Sequence, residues 1–89
     1  MEITFDPEKD KLNRRKHGIS LARAEDFEWG TAVSWSDQRF DYGELRTCAI
    51  GLIGASLYFL VYVESDEDVR VNSLRKANAK EEQRYVRQA

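Results

Sequence analysis

Thr47-Cys48-Ala49-Ile50-Gly51-Leu52, Ser56-Leu57-Tyr58-Phe59-Leu60-Val61-Tyr62-Val63 and Val69-Arg70-Val71-Asn72-Ser73-Leu74 carry the two-residue period of β-strands. From Glu44 onward, Leu45, Thr47, Ala49 and Gly51 alternate with Arg46, Cys48, Ile50 and Leu52. Gly54-Ala55 supplies a turn, and residues 56–63 return as a strand that is apolar on both faces, which predicts a central position. Glu64 to Asp68 is an acidic hairpin loop. The next strand leaves through Arg75 and Lys76.

Outward from this meander, helix signals lie on both sides. Glu2 to Phe5 reads as a short first strand. Asp6-Pro7-Glu8 opens a helix, with Asp6 as cap, Pro7 at the first helical position and Glu8 beside the positive end of the dipole. That helix carries its cations late and stops at Gly18. Its one strongly apolar residue is Leu12, so it is expected to be solvated or to face a partner. Ser20 caps a predicted second helix, Leu21 to about Trp29, closed by Gly30. Residues 32–35 read as a strand and 36–43 as a polar loop. Asn78 and Glu81 have the spacing of a capping box for a final helix. The expected fold is α+β: an antiparallel sheet, two N-terminal helices and one C-terminal helix, in a single domain over 1–89.

Composition bounds the function. With 42% hydrophobic and 34% charged residues, the 89-residue chain is that of an ordinary folded domain. The apolar run Ala49–Val63 is short and broken by glycines, which argues against a membrane role. One cysteine, Cys48, cannot make an internal disulfide, and a reduced cytoplasm is the expected location. One His and one Cys, far apart, give no metal-ligand spacing, and no cofactor is expected. The net charge is −2, but it is segregated. Residues 1–24 hold six Lys/Arg against four Asp/Glu, residues 69–89 six against two, and residues 25–68 two against ten. Basic ends around an acidic middle can place a positive field on one surface of an acidic protein.

Two signatures give that surface an identity. Phe5-Asp6-Pro7 leads into Asn13-Arg14-Arg15-Lys16-His17-Gly18, with Ser20 to Ala24 behind it. Near the other end come Val61-Tyr62, then Arg70, Ser73, Arg75, Lys76 and Ala77, then Glu81 and Tyr85 on a helix. Order and spacing together resemble the BrnT family, toxins of bacterial type II toxin–antitoxin pairs with a RelE-like ribonuclease fold. The resemblance implies metal-independent RNA cleavage that inhibits translation. It also implies a BrnA-like antitoxin, a ribbon-helix-helix protein that masks the toxin, assembles with it as a heterotetramer and carries it to operator DNA. The chain departs from the family at Val63-Glu64-Ser65, where Thr-Glu-Arg is usual, and at Asn72 in an otherwise isoleucine-rich strand.

The residue chemistry suits that expectation. Cleavage without a metal needs the 2′-hydroxyl activated, charge on the crowded phosphate stabilised and the 5′-oxygen protonated. Arginine holds phosphate through a permanently charged planar fork. Arg75 is the expected transition-state stabiliser, joined by Arg70, although strict alternation would point the two to opposite faces unless a bend intervenes. Arg70 could equally pair with the acidic middle. His17, the only His, is a candidate acid or base, or simply a cation at a helix C-terminus. Lys16 completes the expected catalytic set. Arg46, Lys76, Arg84 and Tyr85 are candidate RNA contacts, although Tyr85 is more simply read as the aromatic that pins the last helix to the sheet. Tyr58 and Tyr62 read as core, Trp29 and Trp35 as core or interface. Two other functions fit the same residues. One is a degenerate toxin homologue that only binds antitoxin and operator; the other is an interaction domain that meets a basic partner through Glu64–Asp68.

Overall fold

The computed structural model describes residues 1–39, 41 and 43–88. The 36–43 loop reading includes Phe40 and Tyr42, which lie outside them. Strand β1 (Glu2–Thr4) leads into α1 (Pro7–His17), then two 3₁₀ segments (Leu21–Asp26 and Trp29–Thr31) and β2 (Val33–Ser36). Strands β3 (Thr47–Ile53), β4 (Ser56–Glu64) and β5 (Asp68–Lys76) follow, and α2 (Ala79–Gln88) ends the chain. The sheet order is β1-β5-β4-β3-β2, so β4 is central, as its two apolar faces require.

The sheet is mixed, which corrects the antiparallel expectation. β1 runs parallel to β5, with Glu2 opposite Asp68 and Thr4 opposite Arg70, while the other pairs are antiparallel. Hairpin turns announce themselves locally. The direction of β1 depends on a strand more than sixty residues away. Thr4 Oγ1 fixes the register by donating to Asp68 Oδ2 at 2.7 Å.

The second N-terminal helix is also corrected: the segment after Ser20 forms short 3₁₀ turns. Its buried residues, Leu21, Ala24 and Phe27, recur every third position. Three residues per turn brings such positions onto one line, whereas an α-helix would fan them apart. Ser20 does cap the segment, accepting from Ala22 N–H at 3.1 Å. Gly30 lies inside the second turn rather than ending a helix.

The two sheet faces differ. One carries the main core, where the 3₁₀ segments lay Leu21, Ala24 and Phe27 over Ala49, Leu60, Tyr62, Val71 and Leu74. Gly51 sits beneath Phe27; a Cβ there would stand 2.6 Å from Phe27 Cζ, so the ring fits only on a bare backbone. The other face carries a smaller cluster, Cys48, Ile50, Phe59 and Val61, partly covered by Ala77 and by Tyr85 of α2.

Helix α1 is built as its sequence predicts. Asp6 accepts from Glu8 N–H at 2.9 Å, and Gly18, at φ 71°, donates back to Arg14 O at 2.9 Å. It docks through polar groups. Leu12 is exposed, while Asn13 is buried. Asn13 Nδ2 donates to Leu74 O (2.8 Å) and Ile19 O (2.9 Å), and its Oδ1 accepts from Leu74 N–H (3.1 Å). Pairing with β1 ends at Arg70, so the Asn13 amide continues the outer edge of β5 where β1 stops. Asp10 secures the next connection, accepting from Leu21 N–H (2.7 Å) and Ser20 Oγ (2.9 Å). Burial alone would raise its pKa. Those two bonds and Arg14 outweigh it and hold the carboxyl below the usual range.

Candidate functional site

A β-bulge decides what β5 presents. Val61 faces Ser73, but Tyr62 faces Val71, so Asn72 is an extra residue and the alternation resets across it. Val69, Val71 and Leu74 thereby share the core face. Arg70, Ser73 and Arg75, opposite Val63, Val61 and Phe59, share the other. The expectation that Arg70 and Arg75 point to opposite faces is corrected by this one inserted residue. Asn72 accepts a hydrogen bond from Lys9 Nζ at 3.3 Å. Its buried Nδ2 is, among the described residues, a donor with no partner.

The face with the arginines is open beside α1. A depression of about 290 Å³ has Val61 and Ser73 as its floor. Lys9, Asn13, Lys16 and His17 of α1 line one wall and Arg39 and Arg46 the other. A second depression, about 480 Å³, shares Lys16 and His17 and adds Tyr58, Arg75 and Lys76. The predicted Lys16, His17, Arg46, Arg75 and Lys76 are thus brought around two adjoining hollows. Burial, then the charges of Arg75 and Lys16, push the His17 pKa below its ordinary 6.5, so the imidazole is neutral at pH 7. A neutral imidazole among permanent cations can accept a proton beside a bound anion.

The predicted arginines arrive with partners. Arg75 forms a two-pronged ion pair with Glu81, at 2.8 and 2.9 Å, and lies 4.5 Å from the Phe59 ring centre. Glu81 also accepts from Asn78 N–H at 2.9 Å while Asn78 Oδ1 accepts from Glu81 N–H at 2.9 Å, the expected capping box. Burial would raise the Glu81 pKa; Arg75 and the Asn78 N–H reverse that and lower it. Arg70 donates to Glu44 at 2.7 Å, and Glu44 also receives Arg46 at 3.0 Å. The bonds from Arg46 and Arg70 hold the Glu44 carboxyl low. Arg70 is therefore tied to the acidic middle and stands outside both hollows. Arg84 and Tyr85 lie on α2: Arg84 stacks 3.5 Å from the Trp35 ring centre, and Tyr85 packs on the smaller cluster as a pin. Ser65, where an arginine was expected, organises the β4–β5 turn through Oγ, which donates to Asp68 Oδ1 at 2.6 Å.

Lys9, Asn13, Arg39 and Ser73 join the site without having been predicted there. Lys9, Leu12, Asn13 and Lys16 follow the spacing of one helix face, but with Leu12 as its single apolar member that face lacks the pattern of a core-facing stripe. Arg39 is held by Asp37, whose oxygens accept from its Nε and Nη2 at 2.9 Å. Cys48 is buried, and burial together with the Asp37 charge raises its thiol to about 11, so it stays protonated and unreactive at neutral pH. Among the described residues, no three His, Cys, Asp or Glu side chains gather as a metal site. No helix there is long and apolar enough to cross a membrane.

A sequence search of curated proteins gives no match. Among solved structures, the crystal structure of the Brucella abortus ribonuclease toxin BrnT superposes with a TM-score of 0.70 at 27% identity, covering 88% of this chain and 97% of that one. A family model described as the ribonuclease toxin BrnT of type II toxin–antitoxin systems matches residues 5–81, from the front signature through the Glu81 cap. The chain belongs to the BrnT family of ribonuclease toxins.

Proposed function

We propose that this chain is a metal-independent, RelE-like endoribonuclease toxin that cuts RNA in the cleft between α1 and the sheet and so inhibits translation in the cytoplasm. The observation that carries this is that His17 stands with Lys16 and Arg75 around one solvent-open hollow. His17 takes the 2′-hydroxyl proton as that oxygen attacks the adjacent phosphorus. Arg75 and Lys16 offset charge on the phosphate oxygens, while Arg46, on the adjoining hollow, contacts a neighbouring part of the strand. The bond to the 5′-oxygen breaks, and that oxygen takes a proton from the Lys16 ammonium, leaving a 2′,3′-cyclic phosphate. Arg70 orients Arg46 through their shared carboxylate, Glu44. Lys76 steers the strand electrostatically. The regulatory partner is a BrnA-like ribbon-helix-helix antitoxin that joins the toxin in a heterotetramer and bridges it to operator DNA.

A second reading rests on the ion pairs of Arg75 with Glu81 and Arg70 with Glu44, together with Ser65. It is a toxin homologue that binds antitoxin without cutting RNA. One assay separates the two: purified free protein and RNA in EDTA, with Arg75→Ala alongside. Cyclic-phosphate ends whose yield drops about a hundredfold in the variant support the nuclease. Intact RNA from folded wild-type protein supports the second reading.

A further inference from the structure

We propose that the depression between β2, β4 and α2 is a nucleobase subsite, in which a base of the bound RNA strand stacks on the Trp35 face that Arg84 covers in the free protein. This rests on the RNA-cutting role proposed above and adds to it how the strand is held. The depression, about 250 Å³, has Trp35 and Phe59 as its aromatic surfaces, 6.0 Å apart and tilted by 45°. Arg39 lines both this depression and the cationic cleft, so a strand can pass from one to the other. Arg75 joins them a second way, lying 4.5 Å from the Phe59 ring while also lining the hollow with His17.

Three guanidinium groups stand against two aromatic rings: Arg84 on Trp35 at 3.5 Å, and Arg75 and Arg39 on Phe59 at 4.5 and 6.0 Å. Glu81 and Asp37 offset Arg75 and Arg39, but Lys80 and Arg84 leave the lining net positive, so the rings are not a cage for an alkylammonium group. A nucleotide satisfies both components, its phosphate pairing with the cations and its base with a flat π-surface. Arg84 occupies the plane a base would take. Among the described residues it holds no carboxylate, and its other contact is a long hydrogen bond to Gln88 at 3.5 Å. A base stacks on tryptophan at least as strongly as an exposed guanidinium does, and the displaced Arg84 remains beside the strand to pair with phosphate.

The two tryptophans are Trp29 and Trp35, so Trp29→Phe leaves Trp35 as the only one. Trp29 packs edge-on against Phe27 and Tyr62, contacts a phenyl ring retains. This variant is titrated with an end-labelled, 2′-O-methyl oligonucleotide that cannot be cut. Label anisotropy reports binding and indole emission reports stacking. The expected result is quenching of Trp35 on binding. A single abasic position in the oligonucleotide then abolishes the quench and weakens binding roughly tenfold. Bound oligonucleotide with unchanged Trp35 emission, or equal affinity for every abasic position, overturns the subsite and leaves the cleft reading standing. No binding by anisotropy at low salt overturns both.

Discussion

Replacing Asn13 should unfold more of this protein than replacing its apolar neighbour Leu12. Asn13→Ala removes three hydrogen bonds and strands Leu74 N–H, Leu74 O and Ile19 O, with Leu74 fully buried. An orphaned buried polar group costs about 1–3 kcal/mol. Carbonyls tolerate under-satisfaction better than N–H groups, so the total falls near ~3–5 kcal/mol rather than at the sum of the maxima. A domain this size is stable by roughly 4–13 kcal/mol, so the substitution consumes a large share. With a urea dependence near ~1.2 kcal/mol per molar, the unfolding midpoint should drop by ~3 M with unchanged slope. Asn13→Asp retains the Leu74 N–H bond but sets an oxygen against two carbonyls, and should be comparably damaging. Leu12→Ala, at an exposed position, should stay within about 0.5 kcal/mol. Because α1 also carries Lys16 and His17, Asn13→Ala should lose cleavage even where it remains folded. An Asn13→Ala midpoint within ~0.5 M of wild type would refute the claim that this amide docks α1.

Two further outcomes follow from the same geometry. The His17 pKa is depressed in the folded state, so protonation favours the unfolded chain. Its contribution is complete above the unfolded value of 6.5 and lost as pH falls through the lower folded value. His17→Gln should therefore flatten the stability profile in that window, and wild-type cleavage should rise through a midpoint below 6.5; a cleavage midpoint above 6.5 would contradict His17 as base. Gly51→Ala should cost about 1–3 kcal/mol in thermal melts, because its methyl lands 2.6 Å from the enclosed Phe27 ring; an unshifted melting temperature would show that the ring can move.

Features encoded by neighbouring residues were legible in the sequence. Asp6, Pro7 and Gly18 bounded α1, Asn78 and Glu81 opened α2, and the double-sided apolar run put β4 at the centre. These work because a cap or a turn is settled within four residues. The direction of β1 was not legible, since it depends on a pairing across most of the chain. The 3₁₀ geometry was missed for a subtler reason: Leu21, Ala24 and Phe27 also fall on one side of an α-helix, more widely fanned, and only packing on the sheet beneath favours the single line of three residues per turn.

The candidate cationic face was legible in composition but not in direction, and Asn72 explains the gap. Alternation is the rule that assigns side chains to faces, and on it Arg70 and Arg75 diverge. The bulge breaks that rule once, which is enough to bring Arg70, Ser73 and Arg75 to one face. Nothing in Val69-Arg70-Val71-Asn72-Ser73-Leu74 marks the slip locally; no glycine is there to announce it. What forces it is burial on the opposite side. Val71 and Leu74, three apart, both belong to the main core, and an unbulged strand could bury only one of them there. Burying both outweighs the pairing lost at Asn72 and its orphaned amide donor. The cationic face is thus arranged by the apolar packing behind it, and the core positions the arginines.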